Sequence, residues 1–163
     1  MDKVILVVDP GLKGGFAWQF INELYSRKMF ETDGDILEFI KSLSKENMEK
    51  VAYVEKVGGY GGNKKSTGSS MFGFGHGRGF IMGCLMSHGW RVIEPIPRAW
   101  QKRLGLCTAS SCETTTIWKN ILKAEAQRRY PEHKVTLATA DALLILDYAI
   151  EAEAKRGTNE KSE

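Results

Sequence analysis

The amino-acid sequence predicts an α/β domain built on a mixed five-stranded sheet, with three antiparallel strands plus two parallel strands, flanked by helices. Three observations predict it. Val4–Asp9 (VILVVD) and Val51–Val54 (VAYV) are short, continuous apolar runs rich in β-branched residues, the pattern of strands covered on both faces. Between and after them, apolar residues recur at helical spacing. The resulting order begins strand-strand-strand-helix-strand-helix-strand and closes with helices, which suits a mixed sheet with helical layers.

Each element has its own justification. Val4–Asp9 stops at Pro10-Gly11, a turn signal. After Gly14-Gly15, Phe16–Phe20 and Leu24–Phe30 read as two short strands joined by a turn near Asn22, completing an antiparallel meander. Asp33 is placed to cap a helix whose apolar stripe is Ile36, Leu37, Phe39, Ile40 and Leu43. The fourth strand, Val51–Val54, ends at Glu55. Gly58–Ser70 is glycine-rich and basic, the least ordered stretch expected. Ser69 or Ser70 then caps a helix to about Ser87 that carries Gly73, Gly75, Gly77, Gly79 and Gly83. Each glycine costs about 1 kcal/mol relative to alanine inside a helix, so close packing against another backbone is expected there. Arg91–Glu94 is a short strand, Pro97–Leu104 a brief helix and Gly105–Ser111 a loop. Glu113–Tyr130 and Ala138–Arg156 are helical by period and propensity. Residues 1–156 thus form one domain, and 157–163 a frayed, disordered tail.

Composition narrows the class. At 163 residues and 42% hydrophobic content the chain has enough apolar material for one sizeable core. No apolar run approaches the roughly 18 residues that span a bilayer. The N-terminus reads as a core strand and not a signal peptide. Three cysteines, Cys84, Cys107 and Cys112, are an odd number, which suits free thiols in the cytoplasm. Cys107 and Cys112 lack a second ligand pair at zinc-finger spacing, and His76 and His88 stand too far apart to share an ion. The net charge is +3, but between Lys56 and Arg103 every charged residue except Glu94 is basic. That one-signed block suits a polyanionic partner, or equally a solvated basic face.

Three acids carry the chemistry. Asp9 ends the first strand and Glu55 the fourth, so both emerge at one sheet edge if those strands pair in parallel. Asp141 lies in the first turn of the last helix, within ATADALLIL, on a face otherwise apolar, where a carboxylate is costly unless paired or cation-bound. Together they form a hard-oxygen pocket suited to Mg²⁺. Two such ions about 4 Å apart activate a water and neutralise the leaving oxygen in phosphodiester hydrolysis. Taken singly, each acid also has a plainer reading: a turn aspartate, an ordinary strand end, or a charge favoured by the helix dipole.

VVDPG, VEKV, GFGHGRGFIMGCL, IPRAWQKRLGL and ATADALLIL, in that order, resemble the RuvC family of Holliday-junction resolvases, especially the compact forms common in phages. The resemblance covers roughly residues 3–150. It implies an RNase H-like fold, a homodimer, Mg²⁺ or Mn²⁺ dependence with two ions per active site, and paired nicks across four-way DNA junctions. Asp9, Glu55 and Asp141 match the family's metal ligands, and Lys102 its basic residue, a catalytic or phosphate-positioning cation; Lys119 is a second candidate. One departure stands out. The family's fourth ligand, an Asp or His about one turn before the last acid, is replaced here by Ala138. Glu132 or His133 could reach back, or Thr136 or Thr139 could hold a metal-bound water, while Asp147 should face elsewhere.

The same reading assigns DNA contacts. Arg78, Arg98, Arg103 and Lys119 are phosphate candidates. In the glycine-rich stretch, Lys64 and Lys65 can neutralise phosphates and Tyr60 can stack on an unpaired base. Met71, Phe72, Phe74, Phe80 and Met82 exceed what one helix needs for its own sheet, so some are assigned to a dimer seam. Trp90, Trp100 and Trp118 are assigned to the core. The alternatives are a branched-DNA-binding module without catalysis, a nuclease of the same fold acting on flaps, forks or RNA–DNA hybrids, and an actin-like ATPase, for which one domain is too little.

Overall fold

The structure is a computed structural model that describes residues 2–56 and 68–159. Among these residues, five strands form one sheet in the order β3-β2-β1-β4-β5. Strand β1 (Lys3–Asp9) pairs antiparallel with β2 (Gly15–Phe20), and β2 antiparallel with β3 (Glu23–Lys28). On its other side β1 pairs in parallel with β4 (Glu49–Val54), which pairs in parallel with β5 (Arg91–Ile93). The expected mixed sheet is present. The β2–β3 turn is made by Ile21 and Asn22, both with positive φ (46° and 66°), the handedness that matches the twist of a tight hairpin.

The pleat sorts β1 into two faces. Val4, Leu6 and Val8 face α1 (Asp33–Leu43) and α2 (Gly68–Ser87), in a layer with Phe16, Ile36, Ile40, Ile81 and Leu85. Ile5 and Val7 face the other way, against α4 (Thr115–Arg129) and α5 (Ala140–Asn159). In β4, Val51 and Tyr53 share that second face, with Trp118, Leu122, Leu143 and Leu146. By the same alternation Asp9 and Glu55 continue the face on which α5 lies. Trp90, Trp100 and Trp118 are all buried, as expected.

Several boundaries differ from expectation for local reasons. The cap of α1 is Thr32 and not Asp33: its hydroxyl accepts from the Asp35 amide at 3.1 Å and donates to the Asp35 carboxylate at 2.7 Å. Helix α3 (Pro97–Gln101) gives way to a 3₁₀ turn, Lys102–Leu104, ended by Gly105 at φ 66°. A second 3₁₀ turn, Ala109–Ser111, interrupts the expected loop. Helix α5 runs to Asn159, past Gly157, so residues 157–159 are not the frayed tail anticipated. The α2 glycines are not explained by packing among the described residues. A Cβ at Gly73, Gly75, Gly77, Gly79 or Gly83 would meet nothing within 4 Å.

Farther from the acids, Glu153 anchors α5 to the opposite end of the sheet. Buried, it accepts hydrogen bonds from Lys3 (3.1 Å), Tyr53 (3.0 Å) and Arg91 (2.6 Å). Three donors offset the cost of burying that carboxylate and fix the helix along the strands. Among the described residues, no helix is long and apolar enough to cross a membrane.

Candidate active site

Backbone register brings the first two acids together. In the parallel pair, Val8 stands opposite Val54, and the Glu55 amide donates to the Val8 carbonyl at 3.0 Å. Asp9 and Glu55 therefore leave neighbouring strands at the same carboxyl edge. The third acid is brought in by glycine. Gly15 is opposite Asp9 in the β1–β2 ladder, and a Cβ there would lie 2.6 Å from the Ala138 carbonyl oxygen. A Cβ on Gly14 would lie 2.1 Å from the Asp9 carbonyl oxygen. Gly14 lets the turn fold tightly onto the end of β1, and Gly15 lets the segment before α5 press onto β2, which brings Asp141 within electrostatic reach of Asp9.

The three acids and Lys119 act on one another electrostatically. Burial, then the charges of Asp141 and Glu55, push the Asp9 carboxyl up to about 7, against a smaller opposing pull from Lys119. Glu55 is raised by burial and by Asp141, and lowered by its hydrogen bond from Trp100 and by Lys119. That hydrogen bond, Trp100 Nε1 to Glu55 Oε1 at 2.9 Å, is buried and fixes the carboxylate plane. Burial alone would depress the Lys119 ammonium, but the charge and hydrogen bond of Asp141, with the charges of Asp9 and Glu55, raise it overall.

Lys119 is thus the cation among the carboxylates, donating to Asp141 Oδ2. Asp141 is 5% exposed, and its other oxygen, Oδ1, is buried without a hydrogen-bond partner among the described residues. Such an atom is unfavourable unless something further binds it. Among the described residues, no group of three His, Cys, Asp or Glu side chains stands close enough together to hold a metal ion as placed. The all-oxygen donor set, the orphaned Oδ1 and the mutual repulsion of the acids nevertheless fit a hard divalent cation.

The other candidates fall in different places. Lys102 is exposed, and its ammonium has no ion pair or hydrogen bond among the described residues, so the structure brings Lys119 to the acids in its stead. Arg78 is tied to Glu94 and Arg103 to Glu151, whereas Arg98 is exposed. Tyr60, Lys64 and Lys65 lie outside the described residues. Among the described residues, the candidates for the fourth ligand have other partners or face solvent. His133 pairs with Ser26 at 2.7 Å, Glu132 is exposed, and the Thr136 and Thr139 hydroxyls bond each other at 3.1 Å at the start of α5. Asp147 turns away, as expected, onto Arg129 and Tyr130. Trp100 as a partner of Glu55 was missed, since in the sequence it reads only as core.

A cleft of about 860 Å³ opens from Asp9 and Lys119 between the β1–β2 turn, the start of α1 and the first half of α2. Thr115 and Thr116, at the start of α4, line its side nearest Lys119, and Phe74 and His76 the α2 side.

No protein-family model and no curated protein sequence matches the chain. Solved structures do. The structure of Thermus thermophilus RuvC aligns over 93% of this chain and 96% of its own, with a TM-score of 0.58 and 15% identity. T. thermophilus RuvC in complex with a Holliday junction substrate aligns over the same shares, with a TM-score of 0.60 and 15% identity. Strand order, helical layers and this full-length superposition agree: the chain has the RuvC-like form of the RNase H-like fold.

Proposed function

We propose that this protein is a divalent-metal-dependent endonuclease that cuts branched DNA, four-way junctions foremost. The observation that carries the proposal is that Asp9 and Glu55 leave neighbouring strands at one sheet edge within electrostatic reach of Asp141, whose buried Oδ1 has no partner among the described residues. The likeness to a RuvC bound to a Holliday junction supports the choice of substrate. Asp9, Glu55 and Asp141 would hold Mg²⁺ or Mn²⁺, one ion or two, which when bound supply Lewis acidity to the phosphodiester and to water. Trp100 keeps Glu55 oriented without consuming its second oxygen. Lys119 lines the cleft beside Asp141 and would be placed there to meet a phosphate. Arg98 and Lys102 are exposed cations for the DNA backbone, and Arg78 and Arg103 would have to leave their acidic partners to join them.

Paired nicking requires two copies, and α2 offers a surface for a second one. Phe72, Gly75, Gly79, Gly83 and Met86 follow three- and four-residue spacing along one exposed stripe, where glycine lets another helix approach closely. A homodimer joined there would present two symmetric sites to a symmetric junction.

Two observations favour a second reading, a branched-DNA-binding module without catalysis: Ala138 in place of an acid, and an ammonium already neutralising Asp141. Purified protein, incubated with four-way junctions, flaps, forks and RNA–DNA hybrids, separates the readings. We expect Mg²⁺-dependent, chelator-sensitive nicking strongest on the four-way junction and abolished in Asp141→Asn. Junction binding without nicking, in either Mg²⁺ or Mn²⁺, selects the binding module. Faster cleavage of another substrate reassigns the specificity.

A further inference from the structure

Cys107 and Cys112 lie outside the carboxylate cluster, and the proposed function makes no use of them. The chain between them is folded back by the 3₁₀ turn Ala109–Ser111. That turn is held by Thr108, whose amide donates to Ser111 Oγ at 3.1 Å and whose carbonyl accepts from the Ser111 amide at 3.0 Å. The fold-back sets the two sulfurs 3.6 Å apart, and Cys112 Sγ also donates to the Thr108 carbonyl at 3.5 Å. A disulfide has S–S near 2.05 Å, so closing this gap requires a movement of about 1.5 Å, which side-chain rotation in an exposed loop supplies. Cys107 is exposed and Cys112 half-buried behind it, whereas Cys84 is buried in the opposite layer. A soft-metal site is a poor alternative, because no third His, Cys, Asp or Glu joins the pair among the described residues.

We propose that Cys107 and Cys112 are a redox-modification site that closes to a reversible intramolecular disulfide when the protein meets a peroxide. The thiolate of the more exposed Cys107 attacks one peroxide oxygen, the O–O bond breaks, and hydroxide leaves to become water; Cys107 is then a sulfenic acid. The Cys112 thiolate attacks that sulfur, the S–O bond breaks, and a second water leaves. Two thiols lose two electrons and two hydrogens, and the peroxide is reduced. The bridge closes on the connection between α3, whose Trp100 holds Glu55, and α4, whose Lys119 holds Asp141. Oxidation therefore fastens the segment linking the supports of two of the acids.

The test uses the full chain treated with hydrogen peroxide and followed by intact mass and non-reducing peptide mapping. The expected result is the loss of two hydrogen masses, a Cys107–Cys112 linkage, an unmodified Cys84, and recovery of both thiols with dithiothreitol. Cys112→Ser should leave Cys107 carrying added oxygen, because the resolving thiol is gone. Amide hydrogen exchange over residues 108–116 should slow in the oxidised protein. Stepwise oxygen addition to the wild-type chain without hydrogen loss, interchain linkage through Cys107, or unchanged exchange across that segment would each overturn the proposal.

Discussion

Replacing Lys119 with methionine removes the cation that touches Asp141 while keeping an unbranched apolar stem. Two opposite unit charges about 4 Å apart attract by about 4 kcal/mol at an effective dielectric near 20. The Lys119 side chain is 41% exposed and that of Asp141 6%, so solvent screens one partner but not the other. Halving the attraction for that screening leaves about 2 kcal/mol. The metal-free variant should therefore be less stable by about 2 kcal/mol, a loss limited by proton uptake among the crowded acids. Metal binding gains what folding loses, because no ammonium has to be displaced: affinity for Mn²⁺ should rise roughly 30-fold. Added Mn²⁺ at about 100 times its dissociation constant restores about 2.7 kcal/mol of stability. Urea denaturation with and without Mn²⁺ gives the first quantity, and calorimetric Mn²⁺ titration the second. A variant with wild-type stability and wild-type Mn²⁺ affinity would refute the reasoning, since Lys119 and the cation would then not compete for the same carboxylates.

Further outcomes follow from the same geometry. Trp100→Phe keeps the buried ring but removes the donor to Glu55, so metal affinity should fall about 10–100-fold; calorimetry showing wild-type affinity contradicts a positioning role for the indole. Because the Asp9 carboxyl titrates near 7 without metal, an ion binding at pH 6 should expel a proton, and affinity should weaken by up to tenfold per pH unit below about 7. Titration in buffers of different ionisation enthalpy measures that proton, and its absence at pH 6 removes Asp9 from the ligand set. Away from the site, hydrogen bonds from Arg128 and Arg129, against an opposing effect of burial, hold the Glu125 carboxyl down at about 2. A depressed acid contributes stability that is present above its unfolded value, near 4.5, and is lost as pH falls toward 2. With the exposed Arg128 discounted, the contribution is about 1–2 kcal/mol. The gap in urea midpoint between wild type and Glu125→Gln should narrow from pH 6 to pH 3; a constant gap dismisses the assignment.

The strands were legible because burial on both faces leaves an unmistakable apolar run, and the acids because such runs stop abruptly at Asp9 and Glu55. Asp141 stood out as a charge on an otherwise apolar helical face. What the sequence could not display is which side chains meet across elements. Trp100 is as apolar as its core assignment requires, yet its single N–H selects Glu55. Lys102 and Lys119 both lie on helical turns near the site, and only the packing of α4 against α5 decides that the second reaches Asp141. Glu153 lies among charged residues near the end of α5, so nothing local marks it as buried. The glycines of α2 invited the opposite error. Their cost suggested a tight internal neighbour, and none of the described residues packs against them.

Diffraction from crystals soaked in Mn²⁺, recorded where manganese scatters anomalously, is the most direct test of a three-carboxylate metal site. The expected result is anomalous density bounded by Asp9, Glu55 and Asp141, with the Lys119 ammonium withdrawn from Asp141. Density that avoids these three carboxylates, or an undisturbed Lys119–Asp141 pair at saturating Mn²⁺, would contradict it.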